Sequence, residues 1–205
     1  MKFETFITGK YVNLVLLDEN VVKKTDWYTW LNHPENTKML ETGKFPNTLE
    51  KQIVYLNSDL ATKKEIKSLS KLDKKLQLGV VEKNSNTLVG MVSAYDFDYF
   101  NRVCYVSVIT DLRKKNINRL QVFKESQDLL IDHIFFKMNF RKIYSGAKEK
   151  SLSEMTRKIW GFKLQGVLKK HTYVDGKYLD SYLLGLFKKD WIKLRGDKSI
   201  VFDNH

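Results

Sequence analysis

The sequence is poor in cysteine, proline and glycine, with 1, 2 and 10 of these residues in a chain of 205. A single cysteine excludes an internal disulfide bond and a cysteine-rich metal site. No stretch approaches the roughly 20 consecutive apolar residues of a membrane-spanning helix. Residues 1–8 also lack the apolar core and cleavage pattern of a signal peptide. We therefore expect a cytoplasmic protein with no membrane partner and no bound metal.

Size and composition predict one globular domain. The chain is 42% hydrophobic and 13% aromatic, unlike a disordered or repetitive sequence. Because 205 residues suffice for one substantial core and are few for two, we assign residues 1–191 to a single α/β (α+β) domain and residues 192–205 to a C-terminal tail. The one cysteine, Cys104, lies in an apolar run and is interpreted as a buried small residue, not a nucleophile.

The formal net charge is +12, from 36 basic and 24 acidic residues. Such an excess attracts anionic partners, and nucleic acid, nucleotide-linked sugars and coenzyme A (CoA) all qualify. The basic residues are scattered, and the sequence has no zinc-finger spacing, aromatic RNA-binding motif or helix-turn-helix pattern. Nucleic-acid binding is therefore a hypothesis that rests on charge alone.

Apolar periodicity and turn residues predict one strand, two helices, three antiparallel strands, a helix, a strand, a helix and two strands. The predicted strands cover residues 10–17, 76–83, 87–96, 102–110, 141–147, 162–168 and 178–187. The predicted helices cover residues 26–33, 48–70, 120–136 and 153–160.

Four positions predict where these elements begin and end. Asp18 is a capping residue, and Pro34 ends the helix before it because the residue preceding a proline avoids helical geometry. Gly161 is placed just past a helix end, and Asp175-Gly176 is a strong hairpin signal.

The motifs along the chain resemble those of the GNAT family of N-acetyltransferases, in the branch of ribosomal-protein-alanine and amino-sugar N-acetyltransferases. The matching segments are residues 9–14, 30–35, 88–90, 101–102, 161–162, 166–168 and 175–180, together with Glu125, Asp132 and Phe135. The resemblance covers about residues 9–191 and implies a GNAT fold, with a mixed, mostly antiparallel sheet and flanking helices. It further implies that the sheet is splayed between its fourth strand, residues 102–110, and its fifth, residues 142–147, and that acetyl-CoA or another acyl-CoA enters the gap.

The resemblance also implies where the cofactor is gripped. In the family, a glycine-containing loop and a helix start hold the pyrophosphate through backbone N–H groups. The six corresponding positions contain no glycine and are Asn118, Arg119, Leu120, Gln121, Val122 and Phe123. The CoA-contacting asparagine of the family falls at Lys150, and the serine three residues later matches Ser153.

The basic residues beside this loop allow two interpretations. Arg113, Lys114, Lys115 and Arg119 flank it, and guanidinium groups can hold a phosphate without a glycine cradle. The alternative interpretation is an ordinary basic surface loop, and both stay open.

The resemblance implies direct attack of an amine on the thioester, with the carbonyl polarised by a backbone N–H near Val108 or Ile109. The family's acidic residue in the fourth strand falls at Tyr105, and its proton-donating tyrosine falls at Arg157. A modest proton acceptor suffices for this reaction. The catalytic candidates are Tyr105, Asp96 and His171, and the candidates for the acceptor pocket are Trp30, His33 and Glu41.

These expectations define the functional hypotheses. The first is an acyl-CoA-dependent N-acetyltransferase that acetylates a primary amine of a small molecule, an amino sugar or a protein. The alternative is a catalytically degenerate pseudo-acetyltransferase that serves as a binding or regulatory module, because a fold does not determine a function. A homodimer is the assembly that we keep open.

Overall fold

The computed structural model describes residues 1–38, 44–59, 75–114 and 117–195. Within them, eight strands form a mixed sheet in the order β1-β2-β3-β4-β5-β6-β8-β7. The strands are β1 Thr5–Thr8, β2 Val12–Val15, β3 Lys75–Glu82, β4 Thr87–Asp98, β5 Val103–Thr110, β6 Lys142–Ala147, β7 Lys163–Val174 and β8 Lys177–Phe187. The α-helices are α1 Glu19–Lys24, α2 Pro34–Thr37, α3 Leu49–Asp59, α4 Arg119–Asp132, α5 Lys150–Trp160 and α6 Lys188–Arg195.

The chain divides into two compact units, and β5 contributes to both. The first unit contains Met1–Phe97 and Val106–His133, and the second contains Asp98–Tyr105 and the chain from Ile134 onward. In the second unit, Val103 to Tyr105 of β5 pair in parallel with Lys142 to Tyr144 of β6. The assignment of residues 1–191 to a single domain stays a prediction.

The first unit is built on the antiparallel strands β2, β3 and β4. Val12, Leu14 and Val15 of β2 are fully buried. A core cluster forms where Val15 and the indoles of Trp27 and Trp30 pack with buried aliphatic side chains of α1, α3 and the sheet. Burial of this apolar surface gives the unit its main stabilisation.

The segment after α1 differs from its prediction. The Asp18 cap is confirmed, since its carboxylate accepts from the Val21 N–H at 2.8 Å. The predicted helix that follows is a 3₁₀ helix, Trp27–Asn32, which does end before Pro34. Pro34 also begins a further helix, α2, because a proline fits the first helical turn, where its missing N–H has no intrahelical partner.

In the second unit, β6 and β7 each pair antiparallel with β8. Asp175 and Gly176 at the β7–β8 turn have φ of 45° and 83°, the left-handed geometry that a two-residue hairpin requires. Gly161 ends α5 with φ of 72°, so the predicted helix end and turn are both confirmed.

Four elements were not predicted from the sequence: strand β1, the short helices α1 and α2, and helix α6. The first strand predicted at residues 10–17 is β2, and the sheet has an additional short strand, β1, whose residues are mostly exposed. Helix α6 was missed because its Lys-rich sequence has one buried residue, Trp191, and no apolar stripe. The helix predicted over residues 120–136 is α4 followed by a π-helical turn, His133–Lys137. No helix within the described residues is long and apolar enough to cross a bilayer.

Candidate functional site

The pairing of β5 with β4 determines the direction in which the backbone N–H groups near the end of β5 point. The Asp111 N–H donates to the Val89 carbonyl of β4 at 2.9 Å. A methyl group on Gly90 would lie 2.8 Å from the Ile109 carbonyl oxygen, so Ile109 also faces β4. Because successive strand residues direct their backbone groups to opposite edges, the Val108 N–H points away from β4. Of the two predicted residues, Val108 therefore has the N–H that the β4 ladder does not use.

The loop after β5 is fixed by a buried ion pair. The Asp111 carboxylate is fully buried and accepts from Arg113 Nε at 2.8 Å and from Arg113 Nη2 at 2.9 Å. Burial alone would raise the pKa of Asp111, but hydrogen bonds from Arg113 and Asn36 outweigh it, and the pKa lies below its ordinary value. The same carboxylate raises the pKa of Arg113.

A second carboxylate, Asp26, engages the cations of this loop. Its Oδ2 accepts from Lys114 Nζ at 2.9 Å and from Arg113 Nη2 at 3.2 Å. Arg119 donates to the Leu112 carbonyl oxygen. Three of the four basic residues predicted to flank a phosphate therefore bind groups of the protein itself. The fourth, Lys115, lies outside the described residues.

Asn36 joins helix α2 to the same loop. Its Nδ2 donates to Asp111 Oδ1 at 3.0 Å, and its Oδ1 accepts from the Leu112 N–H at 2.9 Å. His33, one of the predicted pocket residues, lies 2.7 Å from Arg113 Nη1 through its Nε2. The structure thus brings His33 and Arg113 together. Sequence reasoning missed Asp26, Asn36 and Asp111, whose partners lie about 75 to 87 residues away in the chain.

The start of α4 carries the six positions predicted to hold the pyrophosphate. The Asn118 side chain caps the helix by accepting from the Gln121 N–H at 3.2 Å. Val122 is buried in the core, Phe123 is half-buried and Leu120 is 63% exposed. An N–H group that a phosphate would use is thus occupied by Asn118, and the side chains at these positions differ widely in burial.

Glu125 of α4 secures the connection between β1 and β2. The Glu125 carboxylate accepts from the backbone N–H groups of Lys10, Tyr11 and Val12 at 2.6, 2.7 and 2.9 Å. A methyl group on Gly9 would lie 2.5 Å from the Val12 carbonyl oxygen, so this tight turn requires glycine. Beside it lies an open groove of about 410 Å³, lined by Tyr11, Asn118, Leu120, Gln121, Lys124, Glu125 and Asp128.

The predicted catalytic residues lie on three different strands. Tyr105 is half-buried on β5, and its ring stacks on Tyr144 with centroids 5.3 Å apart. Asp96 is exposed on β4 with φ of 52°. His171 is exposed on β7, where the register with β8 shifts. Each stays a prediction.

The remaining predicted residues have varied surroundings. Ser153 is buried on α5, whereas Lys150 is exposed in the first turn of that helix. Trp30 is 1% exposed and donates through Nε1 to Asp26 at 3.3 Å, so it is a core side chain next to the Asp26 carboxylate. Glu41 lies outside the described residues.

The described residues contain neither an activated thiol nor a cluster of metal ligands. Cys104 is fully buried, and burial raises the pKa of its thiol to about 12, which is the opposite of an activated nucleophile. Among residues 1–38, 44–59, 75–114 and 117–195, no group of three or more His, Cys, Asp or Glu side chains is arranged to hold a metal ion.

Similar proteins are found by structure and not by sequence. No protein-family model matches the chain, and no curated protein matches it either. The spermidine N-acetyltransferase of Vibrio cholerae, in complex with CoA and spermine, superposes with a TM-score of 0.73 at 14% identity, covering 90% of this chain and 99% of that one. RimJ of Mycobacterium smegmatis, in complex with CoA-disulfide, gives a TM-score of 0.71 at 12% identity, covering 87% and 83%.

A third structure shows the same likeness. A GCN5-related N-acetyltransferase from Brucella melitensis gives a TM-score of 0.68 at 21% identity, covering 92% of this chain and 81% of that one. The agreement extends over at least 81% of each chain, and the mixed, mostly antiparallel sheet with flanking helices is the one expected from the resemblance. The chain has the fold of the GNAT acetyltransferases.

Proposed function

We propose that this protein is an acyl-CoA-dependent N-acetyltransferase that transfers an acetyl group to a primary amine. The observation that supports this most is the fold, shared over about nine-tenths of the chain with acetyltransferases that include a CoA complex. A solved structure of a microcin C7 self-immunity acetyltransferase in complex with acetyl-CoA and AMP is also similar, with a TM-score of 0.68 at 16% identity. The acceptor is an amine of a small molecule, an amino sugar or a protein.

In the proposed reaction, the amine nitrogen attacks the carbonyl carbon of the thioester and a carbon–nitrogen bond forms. The negative charge that develops on the carbonyl oxygen is stabilised by the Val108 N–H, which β4 leaves unused. The carbon–sulfur bond then breaks, CoA leaves as a thiolate, and the nitrogen gives up its proton to water or to one of the predicted acceptors, such as Asp96. That proton, or another from solvent, neutralises the thiolate.

The cofactor would be held at the start of α4. The positive end of the helix dipole and the guanidinium of Arg119 both favour a pyrophosphate there. Arg119 donates to the Leu112 carbonyl oxygen and is exposed, so a phosphate can compete for it at little cost. Arg113 is less available because its carboxylate partner is buried.

One specific observation favours the pseudo-acetyltransferase alternative. The side chain of Asn118 occupies the Gln121 N–H, and the loop cations bind carboxylates and carbonyl groups of the protein. A chain with this arrangement retains the fold and offers fewer free donors to a pyrophosphate. Binding of acetyl-CoA followed by release of the CoA thiol separates the two candidates.

Isothermal titration calorimetry with acetyl-CoA tests the proposal. We expect saturable binding with a Kd near micromolar, weakened at least tenfold by Arg119→Glu because an attractive contact becomes a repulsive one. The matched control is Lys158→Glu, which makes the same change in net charge at an exposed position of α5. If both substitutions weaken binding equally, overall charge and not a site is responsible.

Absence of binding at millimolar acetyl-CoA would overturn the proposal. Binding without formation of CoA thiol, across polyamines, amino sugars and peptide amines, would favour the pseudo-acetyltransferase. Retention on nucleic acid that falls steeply with salt would instead support the hypothesis based on charge.

A further inference from the structure

The guanidinium of Arg113 is almost fully occupied by the protein. Its Nε and Nη2 form a fork on Asp111, and Nη2 also lies 3.2 Å from Asp26 and 3.4 Å from Thr29 Oγ1. Its Nη1 lies 2.7 Å from His33 Nε2. A guanidinium has five N–H donors, and these contacts employ all three of its nitrogens. Arg113 thus connects the loop after β5 to the 3₁₀ helix and to His33, the residue before α2.

The contact with His33 determines the protonation of that imidazole. A guanidinium donates and never accepts, so the nitrogen that faces it must offer a lone pair. His33 Nε2 is therefore unprotonated, and in the neutral ring the proton lies on Nδ1. The lone pair of His33 Nε2 is engaged by Arg113 while this contact persists.

The position of Arg113 is itself determined from two sides. Asp111 is fully buried and also bound by Asn36, which holds the Leu112 N–H. A buried carboxylate that loses its guanidinium partner is strongly unfavourable, so Arg113 does not leave Asp111 easily. A phosphate would have to replace these contacts to capture Arg113.

We propose that Arg113 is a positioning residue: together with Asp111 it fixes the loop after β5 and selects the tautomer of His33 that carries its proton on Nδ1. It follows that Arg113 is not a pyrophosphate ligand and that His33 is a hydrogen-bond donor and not the general base. The first part concerns the protein alone, and only the consequence for acetyl-CoA rests on the proposed function.

The tautomer of His33 is tested by long-range ¹H–¹⁵N NMR of the histidine side chains at pH 8, without any ligand. The chain has 4 histidines, and His33→Gln identifies the resonances of His33. We expect an unprotonated Nε2 and a protonated Nδ1 in the wild type. In Arg113→Met we expect a shift toward the Nε2–H form, which a free imidazole prefers. A wild-type His33 protonated on Nε2 would overturn the proposal.

Arg113→Lys provides the test by conservative replacement. Lysine keeps the charge but cannot form the fork on Asp111, so we expect only partial retention of the Nδ1–H form.

Protection of the buried Cys104 from a thiol reagent shows whether each variant is folded. A variant that fails this check is replaced by Asp26→Asn, which removes one acceptor of Arg113 and leaves Asp111 in place. We expect this variant to keep the wild-type tautomer, and loss of the tautomer there would contradict the role of Asp111.

The role in cofactor binding is tested by calorimetry with acetyl-CoA over a range of salt concentrations. If Arg113 were a phosphate ligand, Arg113→Lys would retain most of the affinity and Asp26→Asn would tighten binding by freeing the cation. We expect the reverse for a positioning residue: Asp26→Asn leaves Kd within about threefold, and Arg113→Lys weakens binding without changing its salt dependence. Because Asp26 also binds Lys114, both proteins carry Lys114→Met in this comparison, and tighter binding in Asp26→Asn would then overturn this part. Absence of acetyl-CoA binding in the wild type would refute the proposed function and leave the NMR result to decide the positioning role.

Discussion

Two cations, one in each unit, are accommodated in different ways: Arg113 is partly buried and Lys142 is buried. In the first unit, Arg113 is neutralised by Asp111 and Asp26. In the second unit, Lys142 is 8% exposed and its ammonium lies 4.3 Å from the centroid of the Tyr144 ring and 4.8 Å from that of Phe187. Its one hydrogen-bond acceptor in the described part of the chain is Gln165, at 2.9 Å.

The difference shows which buried charge the fold depends on. Breaking the carboxylate–guanidinium pair is costly, because the Asp111 carboxylate is fully buried and charged and Arg113 is its main donor. An ammonium over aromatic rings leaves no charged partner behind when it is removed. We therefore expect the first unit to be the more sensitive to loss of a charge.

The largest expected effect is that of Asp111→Asn. The substitution keeps the shape of the side chain but replaces the buried oxygen that accepts from Arg113 Nη2 by an amide donor, so the free energy of unfolding should fall by about 2 kcal/mol. Urea unfolding measures it. A loss below about 1 kcal/mol would contradict the importance assigned to this pair.

Gly185→Ala is the counterpart in the second unit. The added methyl would lie 2.9 Å from Cε of Lys142 and 3.0 Å from Cδ of Gln165, and it would disturb the position of the ammonium. Overpacking of this kind costs about 1 to 2 kcal/mol, since both neighbours are flexible side chains. The matched control is Gly146→Ala, where a methyl meets no atom within 4 Å. Equal losses in the two variants would show that backbone propensity, and not the Lys142 site, is responsible.

Lys142→Met is expected to lower the free energy of unfolding by less than Asp111→Asn or Gly185→Ala. It replaces an ammonium by an apolar side chain of similar length, and among the described residues Gln165 is the one polar partner that is lost. The change in the free energy of unfolding should stay within about 1 kcal/mol. Arg113→Met, measured in parallel, should cost more, and the opposite order would refute the comparison.

The pH dependence of stability gives a finer test. Because the pKa of Asp111 is lowered in the folded state, its contribution is present above the unfolded value of about 3.9 and is lost as pH falls through the folded pKa. Below about pH 4 the wild type should therefore lose stability more steeply than Asp111→Asn. Urea unfolding at several pH values measures both slopes, and parallel curves would show that other carboxylates account for the acid loss.

Sequence patterns predicted those features that are determined locally. The Asp18 cap, the left-handed Gly161 and the Asp175-Gly176 turn each depend on a few neighbouring residues. The order of the motifs along the chain was then sufficient to predict the GNAT fold. The network around Asp111 could not be predicted, since it joins Asp26 and Asn36 to a loop about 75 to 87 residues away. A single sequence carries no signal for such tertiary contacts, and three of these residues resemble ordinary surface polar positions.

The proposed function is tested most directly by the stability of the protein with acetyl-CoA and, separately, with ATP at equal concentration. The chain carries a net charge of +12 and attracts any polyanion, so ATP controls for charge. At a ligand concentration of 100 Kd, a specific site stabilises the folded state by about 2.7 kcal/mol. We predict that acetyl-CoA raises the urea midpoint, followed by exposure of the Cys104 thiol, well above the value with ATP. Equal midpoints with the two ligands would contradict an acetyl-CoA site.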